Sequence, residues 1–316
     1  MIRNAIIGGG IWAALVIAGR ISPKLDRSWI ELLFLFATLV IVPLGLHLTR
    51  KLDGPDAQRG IETVVHNAQL PAAVTTAASF YVASPLLAGG LGIPWPAFAM
   101  ALAAGRIWRT LRIRSARFDS WCALAAFLYL VIGAAWFLAS RLGLSPIGFH
   151  EPIVLLTAVH FHYAGFAAAT LVRALARIPR RGAFPALLFP AAAASALAGP
   201  AFLAAGFLIG PRVKLVAALL LAAGEIALAG CFIGSIREIG QINSRLLLVV
   251  SAASVLISMC FAALWAIGEF PRQPFLDLAR MAVWHGSLNA FGFTFCGLAA
   301  FIADQPAGQS GKGGTI

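Results

Sequence analysis

The 316-residue chain is short of charge. Asp, Glu, Lys and Arg make up 11% of it, against roughly 25% in soluble domains. Acids are the scarcer sign, 12 against 24 Lys and Arg. With 60% hydrophobic residues and a mean hydropathy of +0.87, this deficit excludes a water-soluble catalytic domain and a long disordered body, and it defines an integral membrane protein. Cysteine is scarce too. Cys122, Cys231, Cys260 and Cys296 all lie in apolar runs and no two are spaced as CxxC, which excludes a disulfide framework and a thiolate zinc site. No HExxH chelate occurs. No Lys or Arg falls in the middle of an apolar run, so a Schiff-base lysine and an arginine-rich voltage sensor are excluded as well. The net charge of +12 belongs to loops at a membrane surface and not to a nucleic-acid footprint.

What the chain does hold is long apolar runs. A membrane helix needs about 20 such residues, and ten candidates lie near 4–20, 29–49, 68–86, 88–105, 119–140, 152–172, 184–209, 213–235, 246–268 and 281–303. The fold expected is an all-α polytopic helical bundle of about ten membrane helices. Eight or nine would result if the short first run, the Gly89–Gly92 joint or the run holding Pro190 and Pro200 counted differently. Residues 1–304 read as one transmembrane domain, and 305–316 as a polar, Gly-rich tail expected to be mobile. The first run resembles a signal peptide but lacks a small-x-small cleavage site, so it counts as a helix.

Ten spans put both termini on one side. That side collects 16 Lys and Arg and the other 8, a bias that predicts cytoplasmic termini. Five of the 16, Arg106, Arg109, Arg112, Arg114 and Arg117, read as an interfacial loop on anionic membrane lipids.

Ionisable groups inside the apolar runs cost about 2.5–3.5 kcal/mol each at mid-helix, so the few present carry the information. Glu31 lies on the second span, His160 and His162 on the sixth, Glu225 on the eighth, and His285 with Asn289 on the tenth. All four spans run in the same direction. Counted from the outer boundary, the groups descend from Glu31 through His285, His160 and Asn289 to His162 and Glu225 near the midplane, which suggests one polar pocket opening outward. His285 and Asn289 are four apart and share a helix face, as do His160 and Tyr163 at three. His160 and His162 are two apart and point about 200° away from each other on a regular helix, so they do not chelate one metal together. No cofactor is expected. Zinc on His160, His285 and Glu225 is the minority alternative. Trp284, Phe293 and Tyr163 are candidate walls for a substrate.

The segment Leu156–Phe166, with its string HFHYAGF, resembles the YndJ-like family of bacterial membrane proteins. His285–Phe293, HGSLNAFGF, is similar to a second signature of that family, and Glu31 through Pro43 to its acidic, proline-containing early helix. The resemblance implies a polytopic membrane protein, with transport the activity attached to such proteins. It marks Glu31, His160, His162, His285 and Asn289, while Glu225 stands on its burial cost alone. The residues themselves favour an intramembrane enzyme using general acid/base chemistry on a lipophilic small molecule, by isomerisation, epoxide-opening cyclisation or hydrolysis. A proton-coupled transporter is the alternative, and an accessory protein without chemistry the third reading. No internal repeat is evident.

Overall fold

A computed structural model describes residues 1–54, 61–113, 118–179, 183–273 and 275–304. The expected tail at 305–316 lies outside these. Ten helices follow in order: α1 (Ile2–Ile21), α2 (Trp29–Asp53), α3 (Ile61–Ser79), α4 (Pro85–Arg112), α5 (Phe118–Arg141), α6 (Ile153–Leu175), α7 (Ala183–Ile209), α8 (Pro211–Ser235), α9 (Ile242–Glu269) and α10 (Leu278–Ala303). Among the described residues no strand occurs, and nine helices are long and apolar enough to cross a membrane. The exception is α3, which carries Glu62, His66, Asn67, Gln69 and three threonines.

Two boundaries differ from the sequence reading. The third span, expected at 68–86, is a helix over Ile61–Ser79, because Ser84 caps a new helix whose first residue is Pro85, a position suited to proline. The Gly89–Gly92 segment, expected to join two spans, lies within α4 instead. Its glycines let Leu142 and Phe137 of the α5 side approach the backbone, and the joint falls at Phe80–Ser84.

Helix α2 is the core of the bundle. In its most apolar stretch 89% of residues are buried, against 17% for α1, which lies at the periphery. Phe34 of α2 stacks on Phe137 at 4.7 Å, and Phe36 meets Phe291 of α10 at 4.7 Å and Trp12 of α1 at 5.2 Å. Helices α7 and α8 pack against each other along their length, with Gly199 under Leu221 and Gly224 against Ser195, as small residues allow in lipid.

Charges fix the end of the bundle where α2, α6, α8 and α10 finish. Arg173 of α6, 1% exposed, bonds Asp53 of α2 and Asp119 of α5. Arg106 and Arg109 of α4 also reach Asp53, at 2.9 and 3.4 Å, and Arg177 reaches Asp119 at 2.8 Å. Lys51 at the end of α2 donates to the carbonyls of Phe301, Ile302 and Asp304 at the end of α10, and Asp304 accepts from Gly240 beyond α8. Helices α2, α6, α8 and α10 are therefore parallel. The arginine run is corrected by this network: Arg106 and Arg109 sit on a helix and face an aspartate inside the bundle, not lipid. Arg114 and Arg117 lie outside the described residues.

Removing the central cation would leave Asp53 to Arg106 and Arg109 and Asp119 to Arg177, and would separate the two halves of the network. Arg173→Ala is expected to destabilise the folded protein by about 1–3 kcal/mol, and Arg173→Lys by less, since lysine keeps the charge although it cannot hold both acids with a planar fork. Thermal unfolding of the detergent-solubilised protein measures both. Equal midpoints for wild type and Arg173→Ala would show that the network does not join the helices.

Candidate functional site

The three segments singled out in the sequence share a backbone feature. Each contains a π-helical stretch: Ala37–Ile41 in α2, Phe161–Ala167 in α6 and Leu288–Phe295 in α10. The three stretches touch one another pairwise. In α2 the cause is local. Pro43 cannot donate to the carbonyl of Leu39 and its ring crowds that oxygen, a conflict that a wider turn relieves. In α6 and α10 the stretches have a common pattern, a polar residue followed three and four positions later by Gly-Phe: His162, Gly165, Phe166 and Asn289, Gly292, Phe293. Each glycine admits a neighbour, Tyr129 at Gly165 and Ser254 at Gly292.

Widened turns shift the hydrogen-bond ladder, so carbonyls at their edges need other donors. Side chains of neighbouring helices, and one of α10 itself, donate to carbonyls in and beside the stretches. Trp12 Nε1 donates to Leu32 O at 2.7 Å, Tyr163 Oη to Leu33 O at 2.8 Å and Gln69 Nε2 to Thr38 O at 2.9 Å. Ser251 Oγ donates to Phe293 O at 2.8 Å, and Thr294 Oγ1 serves Asn289 O and Ala290 O.

The polar side chains divide into two groups. His285, Asn289 and Ser258 of α9 form a closed cluster. His285 Nδ1 lies 2.9 Å from both Ser258 O and Ser258 Oγ, and Ser258 Oγ lies 3.1 Å from His285 O. Asn289 Nδ2, with two hydrogens to donate, lies within hydrogen-bond reach of Ser258 Oγ, of His285 O at 3.0 Å and of His285 Nε2 at 3.2 Å. The carbonyl of Ser258 requires the ring proton on Nδ1, which leaves Nε2 as the acceptor facing Asn289. His160 of α6 lies within electrostatic range of His285, and its buried Nε2 has no hydrogen-bond partner. Ser258 was not anticipated. Its signal was the spacing Ser251, Ser254, Ser258, one face of α9 that is buried along α10.

His162 belongs elsewhere. It is fully buried on the opposite side of α6, accepts from Trp95 Nε1 at 3.1 Å through Nε2 and donates from Nδ1 to Ala158 O at 2.7 Å. Its ring stacks on Trp95 and meets the edge of Phe34, and Gly133 leaves the space it occupies. Every polar atom of His162 is thus committed to the protein. Glu31 forms a capping box, its Oε2 accepting from Ser28 N at 2.9 Å while Ser28 Oγ accepts from Glu31 N at 3.3 Å. Trp284 is 57% exposed on the outside of the bundle and Phe293 is buried against Phe232, so the three candidate walls, with Tyr163 bonded to Leu33, face three different surroundings.

Glu225 is 3% exposed and neither carboxyl oxygen has a hydrogen-bond partner. It shares a helix stripe with Leu221, Leu228 and Phe232. Phe232 packs on Phe293 and Phe301 of the parallel α10, and two helical turns back from it, at about 1.5 Å per residue, Glu225 stands at about the depth of Asn289. Among the described residues no three His, Cys, Asp or Glu side chains converge as metal ligands. A cavity of about 540 Å³ lies away from these groups, lined by Arg3, Asn4, Arg50, Asn67, Leu70 and Pro71 among others.

Fold and site together define a multi-pass helical membrane protein with three π-broken spans around a buried polar cluster. The family model "YndJ-like protein" matches residues 32–293, and the chain belongs to the YndJ-like family. Glu31 falls one residue before the match. The chain is 27% identical over 205 residues to the membrane protein YndJ of Bacillus subtilis (strain 168), covering 65% of this chain and 36% of that one. It thus spans about a third of the length of this curated relative. No solved structure matches.

Two substitutions probe the cluster and the sealed histidine. Trp95→Phe keeps the ring and removes the donor to His162 Nε2, an expected loss of about 1–3 kcal/mol in thermal or denaturant unfolding. Ser258→Ala removes the hydroxyl between His285 and Asn289 but keeps the backbone carbonyl that holds the ring proton, so ¹⁵N spectra of histidine-labelled protein should still show His285 protonated on Nδ1. A mixture of tautomers would show that the hydroxyl, and not the carbonyl, orients the ring.

Proposed function

We propose that this chain is a proton-coupled transporter of a lipophilic small molecule in a bacterial inner membrane, with its termini and ionic network on the cytoplasmic side. The single observation behind the reading is Glu225. An ionised carboxyl without partner or water costs several kcal/mol in such surroundings, so in this conformation the group is the neutral acid. It gives up its proton only when water or a cation reaches it. A carboxyl that ionises in one conformation and not in another couples proton movement to the change between them.

The three π stretches supply places for that change. They lie on parallel helices, touch each other and interrupt the regular ladder at mid-bundle, where transporter helices are commonly irregular. His285 offers a second proton position. A proton on Nε2 would oppose the Asn289 Nδ2 donor, and rotation of that amide by 180° would turn its Oδ1 to accept. Conversion of protonation into side-chain rotation next to a flexible turn suits gating of a path. The scarcity of charge in the spans and the aromatic rings packed between α2 and α10, Phe291, Phe36 and Trp29 among them, favour a lipophilic cargo. Intramembrane acid/base catalysis on the same class of molecule is the second reading. It is favoured by the unbonded His160 Nε2, which could take a proton from substrate.

Everted vesicles containing the protein, energised to an acid interior and reporting through a pH-sensitive dye, test the proposal against a panel of lipophilic amines and acids. At least one compound is expected to dissipate the gradient in wild-type vesicles, and Glu225→Gln, which keeps the shape of the side chain, should abolish that response at equal protein content. An unaffected gradient, or equal responses from the two proteins, overturns the proposal. Recovery of the compound chemically altered, with His160→Ala blocking the alteration, would establish the catalytic reading in its place.

A further inference from the structure

The cavity that the polar cluster does not use has a chemistry of its own. It opens at the end of the bundle where α2 finishes, between the start of α1, the end of α2 and the middle of α3, with a volume of about 540 Å³. Two guanidiniums line it, Arg3 and Arg50, together with the carboxamides of Asn4 and Asn67 and the apolar groups of Leu70 and Pro71. Among the described residues no carboxylate forms an ion pair with either arginine. This distinguishes them from Arg106, Arg109, Arg173 and Arg177, each of which has an aspartate.

The floor of the cavity is built and not incidental. Asn4 Nδ2 donates to Gln69 Oε1 at 3.1 Å, and the fully buried Gln69 donates in turn to Thr38 O, at 2.9 Å, within the π stretch of α2. Pro71 cannot donate to the carbonyl of Asn67 one turn earlier, so that oxygen, on a residue that lines the cavity, lacks its usual helical donor. The cavity therefore offers two unpaired cations, carboxamide donors, a spare acceptor and an apolar wall, at the end of the bundle where α2 finishes.

From this we infer that the cavity binds a phosphate group, with the two arginines on its oxygens as charge-assisted donors. The apolar wall of Leu70 and Pro71 and the interfacial position favour a phosphodiester carried by an anionic lipid, and the acceptor at Asn67 suits a hydroxylated headgroup such as phosphatidylglycerol. The Asn4–Gln69–Thr38 relay would tie occupancy of the cavity to the π stretch of α2. The inference does not depend on the transport reading, since it concerns binding alone.

The test uses the full chain, purified and delipidated in detergent, with the thermal midpoint measured against added phosphatidylglycerol, phosphatidylcholine or inorganic phosphate. Wild type is expected to rise with phosphatidylglycerol and not with phosphatidylcholine. The double variant Arg3→Gln, Arg50→Gln should keep its lipid-free midpoint and need at least ~10-fold more phosphatidylglycerol for the same rise. If inorganic phosphate reproduces the whole effect and the variant loses it, the phosphate site stands and its source is the free ion. Equal responses of wild type and variant, or an equal rise with phosphatidylcholine, overturn the inference. Should the double variant fold poorly, Asn67→Asp places a like charge in the cavity and is expected to weaken the same response, while Arg245→Gln, whose guanidinium serves the Ile239 carbonyl, should leave it unchanged.

Discussion

The bundle depends on one constraint, that a backbone carbonyl inside a membrane must find a donor within the protein. Regular helices meet it automatically. In and beside the π stretches of α2 and α10, where that ladder is shifted, carbonyls also accept from side chains of other helices: Trp12 from α1, Gln69 from α3, Tyr163 from α6 and Ser251 from α9. Each of these bonds joins two helices as well as satisfying an oxygen. The irregular turns are thus the points through which α1, α3 and α9 are tied to the central α2 and α10. A change in any one stretch must be accommodated by the donors of its neighbours.

A second set of ties works at one end only. Arg173, Asp53 and Asp119 hold α2, α5 and α6, and Lys51 holds α2 to α10. The opposite end has fewer such links; Lys214 with Glu269 joins α8 to α9 there at 2.8 Å. Buried and partly buried ion pairs carry a desolvation cost and yield little net stability, but their geometry is demanding. Their effect is to fix which helix ends lie together. A bundle pinned at one end and irregular at mid-depth has its freedom at the other end, which is where the polar cluster of His285 and its partners begins.

What the sequence made legible follows from the range of each interaction. The parallel direction of α2, α6, α8 and α10 was available from span counting, and the shared face of His285 and Asn289 from a spacing of four. The opposed surroundings of His160 and His162 likewise follow from a spacing of two. Local signals that were present but unread include Ser28-Trp29-Ile30-Glu31, a capping box before an apolar run, and the serine spacing on α9. By contrast, the partner of His162 is Trp95, 67 residues away, and no periodicity announces that contact. The Arg173 network is equally distant, spanning 120 residues to Asp53. The arginine run of α4 misled because its spacing of three is that of a helix face, whereas its density suggests a surface loop. The π stretches had only the weak signal of Pro43 and the recurrent Gly-Phe.

Glu225 stands apart from all of these. His162, Tyr163, Gln69 and Arg173 are buried polar groups whose hydrogen-bonding capacity is used to hold helices together, and replacing them would break contacts. Glu225 makes none. A leucine at that position would remove the cost of burying a carboxyl and would fit the stripe of Leu221, Leu228 and Phe232 on which it lies. Packing alone therefore supplies no reason for an acid there, and the burden falls on a second conformation in which the carboxyl has a partner, water or a cation. Asn289, at about its depth on α10, and His160, whose Nε2 has no hydrogen-bond partner, are the groups such a conformation would bring into play.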